Sequence, residues 1–150
     1  MKLAEALQVR KDLQIKVDRL RFRITSNCTV QEGEEPSENP KELLEELDRS
    51  CAELEDIISK INIANAVVKI GELTLTELIS KRQILNKKIS ILRSAIDSAS
   101  EIADRVYKTD IKILPTISVK DTQKEVDRLS KELRETELLI QESNWTTELV

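Results

Sequence analysis

The sequence contains no histidine, which removes both the commonest general base and the commonest nitrogen ligand of metals. Two glycines, Gly33 and Gly71, cannot build a phosphate-cradling loop. The aromatic residues are Phe22, Tyr107 and Trp145, so aliphatic side chains must carry the core. No apolar run approaches the ~20 residues that span a bilayer, and stable membrane insertion is not expected. The two cysteines, Cys28 and Cys51, have no histidine to activate them, and no secretory leader precedes the first apolar pattern. Free thiols in a reducing, cytoplasmic compartment are the expectation. No catalytic residue, cofactor or metal site is expected, and the protein is read as non-enzymatic.

What remains is helix. Charged residues make up 35% of the 150-residue chain and apolar ones 39%. That is the composition of long helices, in a chain the size of one ordinary domain spanning residues 1–150. Four stretches repeat apolar residues in a 3-4 rhythm, whose average of about 3.5 keeps one helix face on a partner helix. They run Leu3–Ala6–Arg10–Leu13–Val17–Leu20–Ile24, then Leu44–Leu47–Cys51–Leu54–Ile58–Ile61–Asn65–Val68. The third is Leu75–Leu78–Arg82–Leu85–Ile89–Leu92–Ile96–Ala99–Ala103, and the fourth Thr122–Val126–Leu129–Leu133–Thr136–Ile140. Cys51 on its seam reads as a small hydrophobe. Capping signals sharpen the limits: Asn39-Pro40, Thr74 with Glu77, and Ser118 or Asp121 precede the later three. The pattern therefore predicts an all-α fold, a long antiparallel four-helix bundle or coiled coil with helices over 1–26, 40–66, 74–103 and 120–143.

Charge supports alternating helix directions. Residues 1–26 hold seven basic and three acidic residues, and residues 40–66 reverse that to three and seven. Residues 74–103 are basic again and 120–143 acidic, so each helix meets sequence neighbours of opposite sign. The net charge of −4 and the absence of interleaved aromatics argue against nucleic acid as a partner.

The connections differ. Residues 67–73 read as a minimal hairpin around Gly71, a small β element. Residues 27–39 form a long acidic loop, and residues 105–119 alternate like a strand broken by Pro115. An up-down-up-down order brings the last two together and predicts a short ladder between Thr29–Gln31 and Asp110–Leu114, or pairing of those edges between subunits. It gathers both chain ends and Trp145 at the other end.

Polar residues interrupt the rhythm at Arg10, Asn65 and Arg82. Such residues fix register or oligomer number, and with Asn62 and Glu137 they are candidates for one polar layer or ligand pocket. Which small molecule would enter is open. Asn144 and Trp145 are candidates for an end cap or an interaction point. The acidic loop lacks the spacing of a calcium loop.

Several blocks together resemble a family: Met1-Lys-Leu-Ala-Glu-Ala-Leu, Val30-Gln-Glu-Gly-Glu-Glu-Pro, Ile61-Asn-Ile-Ala-Asn, Leu73-Thr-Leu-Thr-Glu-Leu and Gln141-Glu-Ser-Asn-Trp-Thr-Thr-Glu-Leu. The resemblance is to small bacterial coiled-coil proteins often labelled septicolysin. That label implies a pore-forming cytolysin, for which only 105–119 offers a lipid-facing segment. The residues themselves favour a self-associating helical bundle, a homo-oligomer acting through protein–protein contact, with the lytic toxin as the alternative.

Overall fold

A computed structural model describes residues 1–101 and 111–149. Its four long helices are α1 (Leu3–Asn27), α2 (Pro40–Val67), α3 (Leu75–Glu101) and α4 (Val119–Thr146). Between α2 and α3 lies a hairpin of β1 (Lys69–Ile70) and β2 (Leu73–Thr74). This is the all-α fold with a small β element that the periodicity predicts. The chain divides into two compact units, Met1–Val68 with Ser143–Val150, and Lys69–Glu142.

Cap chemistry starts each later helix where the sequence marks it. Asn39 Oδ1 accepts the Lys41 backbone N–H at 3.0 Å, and Pro40 fills the first helical position. Thr74 and Glu77 form a reciprocal box. The Thr74 backbone N–H donates to Glu77 Oε2 at 2.7 Å and the Glu77 N–H donates to Thr74 Oγ1 at 3.2 Å. Ser118, not Asp121, caps α4: its Oγ accepts the Asp121 N–H at 3.2 Å. In the hairpin, Ile70 pairs with Leu73 across a two-residue turn in which Gly71 has φ +64°. Glu72 has no positive φ, so the turn is of type II′, whose first position favours glycine.

In the first unit α1 packs along α2, and the Lys16–Glu46 and Arg23–Glu38 contacts show that the two run antiparallel. The α1 seam is inward as predicted, and it continues one step further to a buried Asn27. On α2 the predicted seam needs correction. Leu47, Leu54, Ile61 and Val68 do turn inward, but Leu43, Ser50, Ile57 and Ala64 are the buried partners, not Leu44, Cys51, Ile58 and Asn65. Cys51 is exposed, so it is not the small core hydrophobe. The reason is that α2 carries two apolar stripes side by side. Packing selects the one with small residues at 50 and 64, which permits close approach and leaves Asn65 half out of the core.

In the second unit Leu85 and Ile89 of α3 pack against Val126 and Leu129 of α4, with Leu92, Ile96 and Leu133 around them. Lys81–Glu132 at 3.0 Å and Lys88–Glu125 at 3.9 Å fix an antiparallel register. Both predicted seams are inward here through Ala99 and Ile140, and Ala103 lies outside the described residues.

Among the described residues the predicted ladder does not form. Neither Thr29–Gln31 nor Ile111–Leu114 is strand, and Asp110 lies outside the described residues. The acidic loop satisfies its backbone locally instead: the Glu34 N–H donates to the Gln31 carbonyl at 3.0 Å, with Gly33 at φ +87°.

Ser50 is 1% exposed and its hydroxyl has no partner among the described residues. A buried, unpaired hydroxyl costs roughly 1–3 kcal/mol. Ser50→Ala is expected to stabilise by about 1 kcal/mol in urea unfolding. Leu20→Ala, at a fully buried seam position, is expected to cost about 2–5 kcal/mol in the same measurement.

Candidate functional site

The five polar seam candidates are divided between the two units. Arg10, Asn62 and Asn65 belong to the first unit, and Arg82 and Glu137 to the second. Asn62 is exposed and the other four are half-buried. None of the five makes a side-chain hydrogen bond or ion pair within the described residues, and Arg10 Nε is buried without a partner.

The chain ends do meet. The Leu3 N–H donates to the Thr147 carbonyl and the Leu149 N–H to the Met1 carbonyl, both at 2.9 Å, around an antiparallel bridge between Lys2 and Glu148. Glu148 lies 2.6 Å from Lys2 Nζ and 3.1 Å from the terminal amine, and these hydrogen bonds hold its carboxyl below the ordinary range. Asn144 is half-buried beside this clasp in sequence, and Trp145 is exposed.

At the far end of the α1–α2 pair sits a clamp that the periodicity missed. Arg23 grips Glu38 through both carboxylate oxygens, at 2.6 Å from Nη2 and 3.1–3.2 Å from Nε, with Glu46 at 3.6 Å from Nη1. Asn27 Nδ2 donates to the Arg23 carbonyl at 2.7 Å, and Asn27 Oδ1 accepts the Glu38 N–H at 3.0 Å. A signal was present: Asn27 is the next step of the α1 rhythm, and a buried Asn needs partners.

The two flanks of the α1–α2 seam are unlike. On one, Lys16, Arg23 and Glu46 close the seam with interhelical ion pairs, beside Asp12, Ile15 and Arg19. On the other lies an apolar groove floored by Val17, Ile24 and Leu47 and edged by Asp18, Arg21 and Thr25. Leu44 and Cys51 are exposed one turn either side of Leu47. The charges along this flank, Lys11, Asp18, Arg21, Lys41, Asp48 and Glu55, make no ion pair within the described residues. The stripe of Leu44 and Cys51 that sequence rhythm assigns to the core is therefore an outward face.

Among the described residues no helix is long and apolar enough to cross a membrane. Of 105–119, the segment a lytic reading would use, residues 105–110 lie outside the described residues and Ile111–Leu114 are neither helix nor strand.

Residues 10–149 match the model of a family described as "Family of unknown function (DUF6847)", and the chain belongs to that family. The fold is similar to the crystal structure of a functionally unknown conserved protein from Corynebacterium diphtheriae. The TM-score is 0.91 at 34% identity, over 100% of this chain and 99% of that one. No curated protein matches. Neither description names a lytic activity, so the septicolysin resemblance narrows to membership of a family of unknown function.

The clamp predicts a pH response. Hydrogen bonding to Arg23 holds the Glu38 carboxyl below its ordinary range. Its contribution is complete above the unfolded carboxylate value of about 4.3 and is lost as pH falls through the lowered folded value. Stability should therefore decline below about pH 4, and Glu38→Gln should remove part of that decline in denaturant titrations run at successive pH values. Asn27→Ala, which deletes both clamp bonds, should cost about 1–3 kcal/mol and speed hydrogen exchange at the Glu38 amide.

Proposed function

We propose that this member of the DUF6847 family acts without catalysing a reaction, as a helical module that self-associates and works through protein–protein contact. One observation carries the reading. The chain has three aromatic residues, and the two that are described point outward, Phe22 at 70% exposure and Trp145 at 67%. Aromatic side chains bury the most area per residue and are enriched where binding energy concentrates.

Their placement supports the same reading. Phe22 lies seven residues from the exposed Ile15, and Trp145 seven from the exposed Leu138; Ile84 and Ile91 repeat the spacing on α3. Seven residues return a helix to the same face, so each pair is the start of a second seam turned away from the first. Scattered surface apolar residues are ordinary, but a heptad repeat of them is what a partner helix fits.

Light scattering over a concentration series tests this. The expected result is a mass that rises above that of one 17.1 kDa chain with concentration, with Phe22→Ala or Leu44→Ala lowering the mass at a fixed concentration. A mass that stays at one chain up to about millimolar concentration, where an association worth ~4 kcal/mol would register, overturns self-association.

A further inference from the structure

We propose that the polar groove between α3 and α4 binds the phosphate group of a small phosphorylated molecule, with Arg93 and Arg134 holding the phosphate. Both helices belong to the same compact unit, and the groove encloses about 480 Å³, ample for such a ligand.

The two edges of the α3–α4 seam are built differently. On one edge the residues just before seam positions are Lys81 and Lys88 on α3 and Glu125 and Glu132 on α4. They close that edge as Lys81–Glu132 and Lys88–Glu125 ion pairs. The groove runs along the other edge. There the residues just after seam positions, Asn86 and Arg93 on α3 and Ser130 on α4, bring a cation with no carboxylate set across from it in the groove. Arg134 adds a second cation from α4.

Neither arginine makes an ion pair or a side-chain hydrogen bond among the described residues. Asp97 is the groove's one carboxylate, a turn beyond Arg93 on α3, and it pairs with neither. The lining therefore carries a surplus of one positive charge and two guanidinium forks with nothing to grip. A guanidinium fork matches the oxygens of a phosphate or carboxylate two at a time. A carboxylate has oxygens for one fork. A phosphate monoester presents three terminal oxygens and nearly two negative charges, so it can serve both arginines at once.

The rest of the lining suits an organic ester. Ser90 and Ser130 stand on opposite helices, and their hydroxyls make no hydrogen bond among the described residues, which leaves two further donors for phosphate oxygens. Ile89 and Leu133 give the groove an apolar floor, which a carbon skeleton can cover and a bare anion cannot use. Asp97 would repel the phosphate itself but accepts hydroxyl donors carried by the skeleton.

A titration of the isotope-labelled full-length chain, followed by backbone amide NMR, gives the test. The probes are inorganic phosphate and glycerol 1-phosphate, each against sodium chloride at matched ionic strength. Both phosphates should cause saturable shifts centred on residues 90–97 and 130–134, with glycerol 1-phosphate binding the more tightly. The Arg93→Gln/Arg134→Gln double variant should weaken both roughly tenfold or more, with helix content unchanged by circular dichroism because both side chains are exposed. Arg93→Lys, which keeps the charge and loses the fork, should weaken them severalfold. Asp97→Asn should tighten inorganic phosphate. Lys124→Gln, which removes a cation of α4 outside the groove, should change neither affinity. Shifts that fail to saturate by about 10 mM, or that chloride reproduces, overturn the site. A loss with Lys124→Gln as large as with the double variant also overturns it, as general charge attraction. Equal affinity for the two probes overturns the organic ester and leaves a site for phosphate alone.

Discussion

A helix pair held by aliphatic side chains alone buries one stripe of each helix, and everything else here follows from that limit. Each 3-4 rhythm supplies a single seam, so α1 finds α2 and α3 finds α4, and each pair forms its own line of buried leucine, isoleucine and valine. With almost no aromatic volume to spend, the core stays narrow. Seam residues such as Leu13, Val17, Leu47 and Leu54 remain half-exposed.

Charge then distinguishes the sides. Ion pairs at exposed helix edges contribute little each, but they decide which edge is closed to further contact. Along α1–α2 the pairing is confined to one edge, where Arg23 reaches both Glu38 and Glu46. The same residue ties the acidic loop back onto α1 through its carbonyl and Asn27. The loop that carries Glu32, Glu34, Glu35 and Glu38 is thereby tied to α1 at Glu38.

Much of this was legible in sequence, for physical reasons. Rhythm and caps place four helices to within a few residues, because a seam and a cap are local signals. The hairpin was legible for the same reason, Gly71 being the residue its turn requires. The α2 seam was not, because adjacent pairs such as Leu43–Leu44 and Ile57–Ile58 make two stripes equally apolar, and only the partner helix decides between them. The Arg23–Glu38 clamp joins residues whose relation depends on the path of a loop, which no periodicity describes. The ladder does not form among the described residues, because helix order and the alternation of Ile111 and Ile113 supply no pairing partner by themselves. Arg10 and Arg82 break the rhythm as read, yet neither acquires a charged partner among the described residues.

The placement of Trp145 has an optical consequence. It is the chain's single tryptophan, and it sits 67% exposed near the end of α4, away from the seam. Its emission should already resemble that of indole in water while the protein is folded, so melting the aliphatic core will move the spectrum little. Any molecule laid over that end of the helix will shift it toward the blue. The protein thus carries an intrinsic lamp that is nearly blind to its own unfolding and attentive to what arrives from outside.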